Sequence, residues 1–251
     1  MKTVKVKNVE IGTGIPKICV PLVEKSALML AERAAQVGRQ GGDMAEWRAD
    51  YFQDISDMDL LLETAGKIRE KLQEVPLLFT FRTAKEGGER QLETEEYIRM
   101  NELMIKSGLI DLVDVELFSG EETVKSLIET SHANGVKVVV SNHDFEKTPP
   151  RGEIVSRLRK MQSMGADISK IAVMPQCRMD VLTLLAATDE MYTEYADRPI
   201  ITMSMGEYGV ISRVSGETFG SAVTFGALGK CSAPGQMTVT DLRTTLEALH
   251  R

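Results

Sequence analysis

Eight short apolar runs recur along 251 residues, and stretches with helical spacing lie between most of them; that alternation limits the fold more than any other feature of the chain. The runs are KICVPLV (17–23), MAEWRAD (44–50), PLLFTFR (76–82), LVDVELF (112–118), KVVVSNHD (137–144), ISKIAVMP (168–175), PIITMSMG (199–206) and SAVTFGAL (221–228). Strands separated by helices build a parallel sheet, because each parallel pair needs a crossover. Eight such units in about 250 residues match the size of a closed (β/α)8 barrel. The expectation is therefore an α/β fold, a single TIM barrel over residues 1–251. An open doubly wound sheet is the alternative, but no GxGxxG or GxxxxGK[ST] follows any strand, so nothing supports a nucleotide-binding version.

The intervening segments carry helix marks. Val124, Leu127 and Ile128 stand at i, i+3, i+4, with Gly135 where a C-terminal cap belongs. Ile154, Leu158 and Met161 repeat a one-face spacing ahead of Gly165, as do Leu242, Leu246 and Leu249 in the last helix. Thr238 and Asp241 have capping-box spacing ahead of that helix, and Val181, Leu184 and Leu185 mark another. The stretch 206–220 has room for only a short helix. Residues 3–14 alternate polar and apolar side chains and are expected to form an extra β-hairpin closing the barrel floor.

Composition excludes several functions. Hydrophobic residues make up 43%, enough for a large core without disulfides. The net charge of −7 argues against nucleic-acid binding but not against an anionic small molecule, which a few pocket arginines can attract. Three scattered cysteines form neither a disulfide framework nor a metal pair and fit a reducing cytoplasm. The N-terminus has no apolar signal core, and no apolar run nears the roughly 20 residues that span a bilayer, so no membrane partner is expected.

Side chains alternate across a strand, which sorts each run into a helix-facing and an interior set. Leu77, Phe79 and Phe81 suit the helix side and leave Arg82 inside. Trp47 points out, which turns Glu46 and Arg48 in. Val113 and Val115 point out, which turns Asp114 and Glu116 in. His143 shares a face with Val139 and Ser141, and Lys170 shares one with Ile168 and Ala172. Seven ionisable groups inside a barrel are unusual, because charges are rarely buried unless paired or functional. Singly, each is more often structural; together, near strand C-terminal ends, they lie where barrels build active sites. Lys170 allows two readings: an ammonium paired with Asp114 or Glu116, or an amine that attacks a ketone. His143, on the preceding strand, would be the proton shuttle of the second. His132, near a helix C-terminus, and His250, next to last, read as ordinary solvated residues, and no His/Cys/Asp spacing suggests a metal site. Gly87-Gly88 allows a tight or mobile loop; the segment either lets Glu86 reach back over the pocket or is a solvated charged turn. Arg213 is either a carboxylate ligand or a surface residue. The loop KCSAPGQM (230–237) is either a lid or an ordinary connection.

EWR (46–48), LLFTFR (77–82), EGGE (86–89), VSNHDFEKTP (140–149), KIAVMP (170–175), RPIITMSMG (198–206), GVISR (209–213), FGSAVTFG (219–226) and SAPGQ (232–236), in this order, resemble type I 3-dehydroquinate dehydratase of the shikimate pathway. The resemblance runs from about residue 4 to the C-terminus. It implies a homodimeric barrel with no metal or organic cofactor that dehydrates 3-dehydroquinate to 3-dehydroshikimate. It makes Lys170 the Schiff-base lysine, His143 the general acid/base and Glu86 the carboxylate that orients it. It gives the substrate carboxylate to Arg213 and ring hydroxyls to Glu46, Arg48 and Arg82. Ser232 and Gln236 correspond to lid residues, and Met203, Met205 and Phe225 to apolar walls. Pro21 departs from members, such as the enteric enzymes, that carry serine there, so a hydroxyl contact is lost. A class I aldolase would share the barrel and the lysine but should show a Gly-rich phosphate site after strands seven and eight, where this chain has Arg213. A non-catalytic hydroxy-acid binder would not need Lys170, His143 and Glu86 together.

Overall fold

The computed structural model describes residues 3–229 and 231–250; Lys230, at the head of the predicted loop 230–237, lies outside the described residues. An antiparallel hairpin, β1 (Val4–Val6) and β2 (Val9–Ile11), comes first. Eight of the nine strands in the parallel sheet of the described residues follow: β3 (Lys17–Leu22), β4 (Met44–Arg48), β5 (Leu77–Thr80), β6 (Leu112–Glu116), β7 (Lys137–Asp144), β8 (Ile168–Val173), β9 (Ile200–Ser204) and β10 (Val223–Ala227). They pair in the order β10-β3-β4-β5-β6-β7-β8-β9, and the two ends of that order meet. The seam is a bridge between Ile200 and Ser221, with the Ala222 N–H donating to the Ile200 carbonyl at 2.8 Å. The Thr202 N–H has no backbone acceptor there and donates to Ser221 Oγ at 3.0 Å. A side chain thus completes the ladder that closes the sheet into a barrel.

Helices α1 (Ala27–Val37), α2 (Met58–Leu72), α3 (Thr94–Lys106), α4 (Glu121–Ala133), α5 (Arg151–Ser163), α6 (Arg178–Glu190) and α9 (Val239–Leu249) ring the outside. Segment 206–220 holds two very short helices, α7 (Val210–Val214) and α8 (Gly216–Phe219), as its weak periodicity implies. Helix α9 starts on the expected cap: the Asp241 N–H donates to Thr238 Oγ1 at 3.1 Å, and that hydroxyl donates to Asp241 Oδ2 at 2.7 Å. Gly135 and Gly165 take φ of +74° and +101° past α4 and α5, which only glycine adopts readily. Two details differ from expectation. Leu249 is exposed, because α9 ends there and the chain becomes extended at His250. Helix α6 continues into a π-helical turn, Met191–Tyr195, that buries Met191. A short strand β11 (Met237–Thr238) also pairs with β10.

Strand parity produces two separate cores. Val20, Trp47, Phe79, Val113, Val140 and Ile171 lie between barrel and helices, while Cys19, Met44, Leu78, Leu112, Val139 and Ile168 fill the interior. Each fully buried aliphatic side chain contributes about 1.5–3 kcal/mol. Val4, Val6 and Ile11 of the hairpin pack onto the interior set, so the floor is closed by apolar contact, as the alternation in residues 3–14 predicts. The interior is apolar at the floor and charged at the mouth.

Candidate active site

Of the charged side chains that parity turns inward, Glu46, Asp114 and Lys170 stand in the middle of their strands, while Arg48, Glu116 and His143 stand at or near the C-terminal ends and Arg82 lies just past β5. Lys170 on β8 stands opposite Ser141 on β7, and His143 stands one layer higher, opposite Ala172. Lys170 is only 3% exposed. Its Nζ lies 3.2 Å from Asp114 Oδ2, 3.4 Å from Glu46 Oε1 and 4.7 Å from the centre of the Phe225 ring. Of the two pairings open from sequence, Asp114 is realised and Glu116 is not; Glu46 takes the second place. Thr80 Oγ1 donates to Glu46 at 3.0 Å and fixes that carboxylate in turn.

Arg82, just past β5, explains why so many carboxylates are tolerated here. Its guanidinium donates to Glu116 Oε1 and to Asp114 Oδ1, both at 2.8 Å, and to Glu86 Oε2 at 3.4 Å. Glu116 also accepts from the Thr83 N–H at 2.8 Å and from its hydroxyl at 2.7 Å. Burial pushes the Asp114 carboxyl up, but Arg82, Lys170 and the Ser141 hydroxyl together hold it below its ordinary value. It stays an anion inside the barrel.

Glu86 reaches the mouth because the loop after β5 folds back tightly. The Gly88 N–H donates to the Thr83 carbonyl at 2.9 Å, and the Ala84 N–H to the Arg90 carbonyl at 2.8 Å. Gly87 has φ +81° with the Phe145 ring against it, and a Cβ on Gly88 would collide with the Arg82 carbonyl. Of the two loop states that Gly87-Gly88 permits, the tight one is present. Glu86 Oε2 accepts from the His143 backbone N–H at 2.9 Å and faces His143 Nδ1 at 3.0 Å; Asn142 Nδ2 donates to Oε1 at 3.2 Å. A carboxylate facing Nδ1 keeps that nitrogen protonated and leaves Nε2 as the basic site. Burial pushes Glu86 up to about 7, with Arg82 opposing and Glu116 adding. Burial also holds His143 well below its ordinary value, helped by Arg82, Lys170 and Arg48. Burial and these three cations favour the neutral imidazole.

These groups line a cavity of ≈ 430 Å³ with Glu46, Arg48, Met203, Met205, Phe225, Ser232 and Gln236. Arg48 is held by Asp50 through two bonds of 2.8 Å, and Asp50 also accepts from the Glu89 N–H at 3.1 Å. Ser232 and Gln236 bond each other: Gln236 Nε2 donates to Ser232 Oγ at 2.9 Å, and the Ser232 N–H to Gln236 Oε1 at 2.9 Å. Arg213, on α7, lies just behind this wall rather than on it. Its Nη2 donates to the Pro234 carbonyl at 2.9 Å, and its Nε is buried without a partner. Among the described residues no carboxylate pairs with it, and burial pulls it down to about 10. A buried guanidinium of that kind has the charge and the N–H groups to bind an anion. His132 and His250 stay outside the site, paired with Asp167 and Glu217 at 2.8 Å each. Among the described residues no cluster of His, Cys, Asp and Glu has the form of a metal site.

Sequence reasoning turned Asp114 and Glu116 inward as possible partners of Lys170 but gave neither a catalytic or binding role, and it gave Asp50 none. Their signal was the parity itself. Which cation each would meet depends on neighbouring strands and is invisible along one run. Phe145, Ala172 and Ala233 also line the cavity; parity put Ala172 on the face of Lys170, but none of the three was given a role.

Residues 18–251 match the family model of type I 3-dehydroquinase. The chain is 57% identical over 251 residues to the 3-dehydroquinate dehydratase of Shigella boydii, covering all of both chains. It is 54% identical over 250 residues to that of Bacillus licheniformis, covering all of this chain and 98% of the relative. Among solved structures it resembles the type I 3-dehydroquinate dehydratase of Clostridium difficile, crystallised with covalently modified comenic acid. The TM-score is 0.97 at 48% identity, over 99% of this chain and 98% of that one.

Proposed function

Because this chain belongs to the type I 3-dehydroquinase family and, with it, dehydrates 3-dehydroquinate to 3-dehydroshikimate through a Schiff base in the shikimate pathway, we propose that Lys170 is the imine-forming amine, His143 the proton carrier and Glu86 the carboxylate that orients it. One observation carries this assignment: a buried primary amine and a neutral, Nδ1-anchored imidazole line one cavity at the barrel mouth. A neutral imidazole beside an amine can both take and return protons without adding charge to the site.

The steps follow from those positions. Lys170 passes one ammonium proton to His143 Nε2 and adds to the ring ketone; the C=O π pair moves to oxygen, which takes up the proton that the nitrogen then loses. His143 then protonates that hydroxyl, which leaves as water and forms the iminium. The iminium draws electrons from the neighbouring C–H bond better than the ketone does. His143 Nε2 removes that proton and gives a neutral enamine. The enamine pushes its electrons back toward the C1 hydroxyl, which leaves as water with the proton from His143. Water hydrolyses the conjugated imine and frees Lys170.

We assign the substrate carboxylate to Arg213, supported by its missing counter-ion, and the ring hydroxyls to Glu46, Arg48 and Arg82. Arg82 donates to three carboxylates, so its part is as much to hold those anions as to touch substrate. Met203, Met205 and Phe225 form apolar walls, and Ser232 with Gln236 closes the top. Pro21, buried beside Glu46 in the β3–β4 register, supplies no hydroxyl, for which a modest loss of binding is expected. The proposal extends to one catalytic domain over 1–251, a homodimer, and a cytoplasmic enzyme whose three cysteines stay free. Light scattering tests the dimer.

The first experiment is reduction of the protein with borohydride in the presence of 3-dehydroquinate, with the adduct located by peptide mass spectrometry. An adduct on Lys170, with the absorbance of conjugated product rising in the unreduced control, is expected. An adduct on another lysine, or turnover that survives Lys170→Ala, would overturn the assignment.

A further inference from the structure

We infer that Asp114 is the built-in counter-ion of the protonated imine on Lys170, and that Arg82 and Ser141 exist in the site to keep that anion in place. The inference rests on Lys170 being the imine lysine. Asp114 Oδ2 lies 3.2 Å from Nζ, while Oδ1 accepts from Ser141 Oγ at 2.6 Å and from Arg82 Nη2 at 2.8 Å. One oxygen is tied down so that the other keeps its aim. The residue is fully buried, which keeps bulk solvent from its carboxylate.

The chemistry fits the arrangement. Ammonium plus ketone gives iminium plus water: one positive charge enters and one leaves, both centred on the same nitrogen. An anion placed for the ammonium is therefore placed for the iminium, and no reorganisation is needed between them. In the neutral amine, two N–H bonds directed at Asp114 and Glu46 leave the lone pair on the remaining side, toward the cavity. In the iminium a single N–H remains and needs a single acceptor. Asp114 is the nearer of the two carboxylates and the more firmly held, since Glu46 Oε1 is fixed only by Thr80 at 3.0 Å. Iminium that stays protonated is the electron sink that the dehydration uses; a neutral imine is a poor one.

Other charges around the nitrogen do not take this part. Arg48, Arg82 and His143 are cationic or neutral and repel or ignore it, and Cys19 beneath it is a thiol that burial pushes well above its ordinary value. Glu116 and Glu86 direct carboxylate oxygens at the Arg82 guanidinium instead.

The test is Asp114→Asn, which keeps the size and the bond from Ser141 but removes the charge. The rate of borohydride trapping is measured against pH with 3-dehydroquinate present, together with turnover. Without its anion the iminium gives up its proton more readily, so the trapping profile should move down by at least one pH unit and turnover should fall about 100-fold. Ser141→Ala, which leaves the charge but loosens it, should move the profile less and in the same direction; it also covers the case in which Asp114→Asn does not fold. An unmoved profile in both variants, even with slower turnover, would mean a packing role only and overturn the inference. Failure of the unsubstituted enzyme to trap at Lys170 would instead count against the lysine assignment.

Discussion

His143 and Glu86 show how single residues are tuned by what surrounds them. Three cations and burial keep the ring neutral, while burial lifts Glu86 to about 7. A carboxyl that titrates near 7 is an ion above that value and neutral below it. The acceptor for the Nδ1 proton therefore weakens as pH falls through 7, and kcat/KM should decline on that limb. In Glu86→Gln the limb near 7 should vanish, because the group that produces it is gone. A flat profile should extend down to the titration of the imidazole, which lies below its ordinary 6.5. The plateau should be lower by about 10- to 100-fold, the worth of one hydrogen bond to a charged group at about 1.5–3 kcal/mol. Retention of the limb in Glu86→Gln would assign it to another group. At this scale much was legible beforehand. Strand parity put Glu46, Arg48, Arg82, His143 and Lys170 inside, and the motif resemblance supplied their roles. The partners were not legible: that Asp114 meets Lys170 while Glu116 meets Arg82 depends on the register between β6, β7 and β8.

The loop after β5 shows an element whose shape serves one side chain. Gly87 and Gly88 were readable as a turn, but not which of them mattered more. The structure separates them. Alanine at 87 must adopt a left-handed backbone, at about 1–2 kcal/mol, but its steric conflict is with the Phe145 ring, which is partly exposed and has room to swing. Alanine at 88 meets the Arg82 carbonyl, which is backbone and next to the site. Relief there requires the whole 83–90 turn to open, and Glu86 withdraws with it. Gly88→Ala should thus lose most of its turnover, while Gly87→Ala lowers the melting temperature but keeps a larger share of activity. Equal losses of kcat in the two variants would mean that loop closure does not set the position of Glu86. The same comparison explains what pattern reading missed elsewhere. Periodicity found α6 from Val181, Leu184 and Leu185, but the π-helical turn after it has no periodic signature, because it is set by the packing of Met191.

A barrel separates stability from chemistry along its axis, and this chain does so with two interior ends of opposite character. The mouth holds buried ions, each of which is costly unless paired. The floor holds only apolar contacts, closed by a hairpin that precedes the stretch matched by the family model. Ile11 is fully buried there and packs in the interior cluster that includes Ile168, two residues before Lys170. Truncating it to alanine removes three methyl or methylene groups and leaves a cavity in the apolar cluster that also holds Met44, Leu78 and Leu112, at a cost of about 2–5 kcal/mol. The strands that carry Glu46, Asp114, His143 and Lys170 stay paired through their whole length, so nothing in the mouth has reason to move. Ile11→Ala should therefore show a clear loss in urea midpoint with kcat and KM unchanged at a temperature where it is folded. A fall in kcat without a fall in stability would show that the floor controls the mouth. The independence expected of the two ends would then give way to a single coupled interior, in which the hairpin helps to set the register of the catalytic strands.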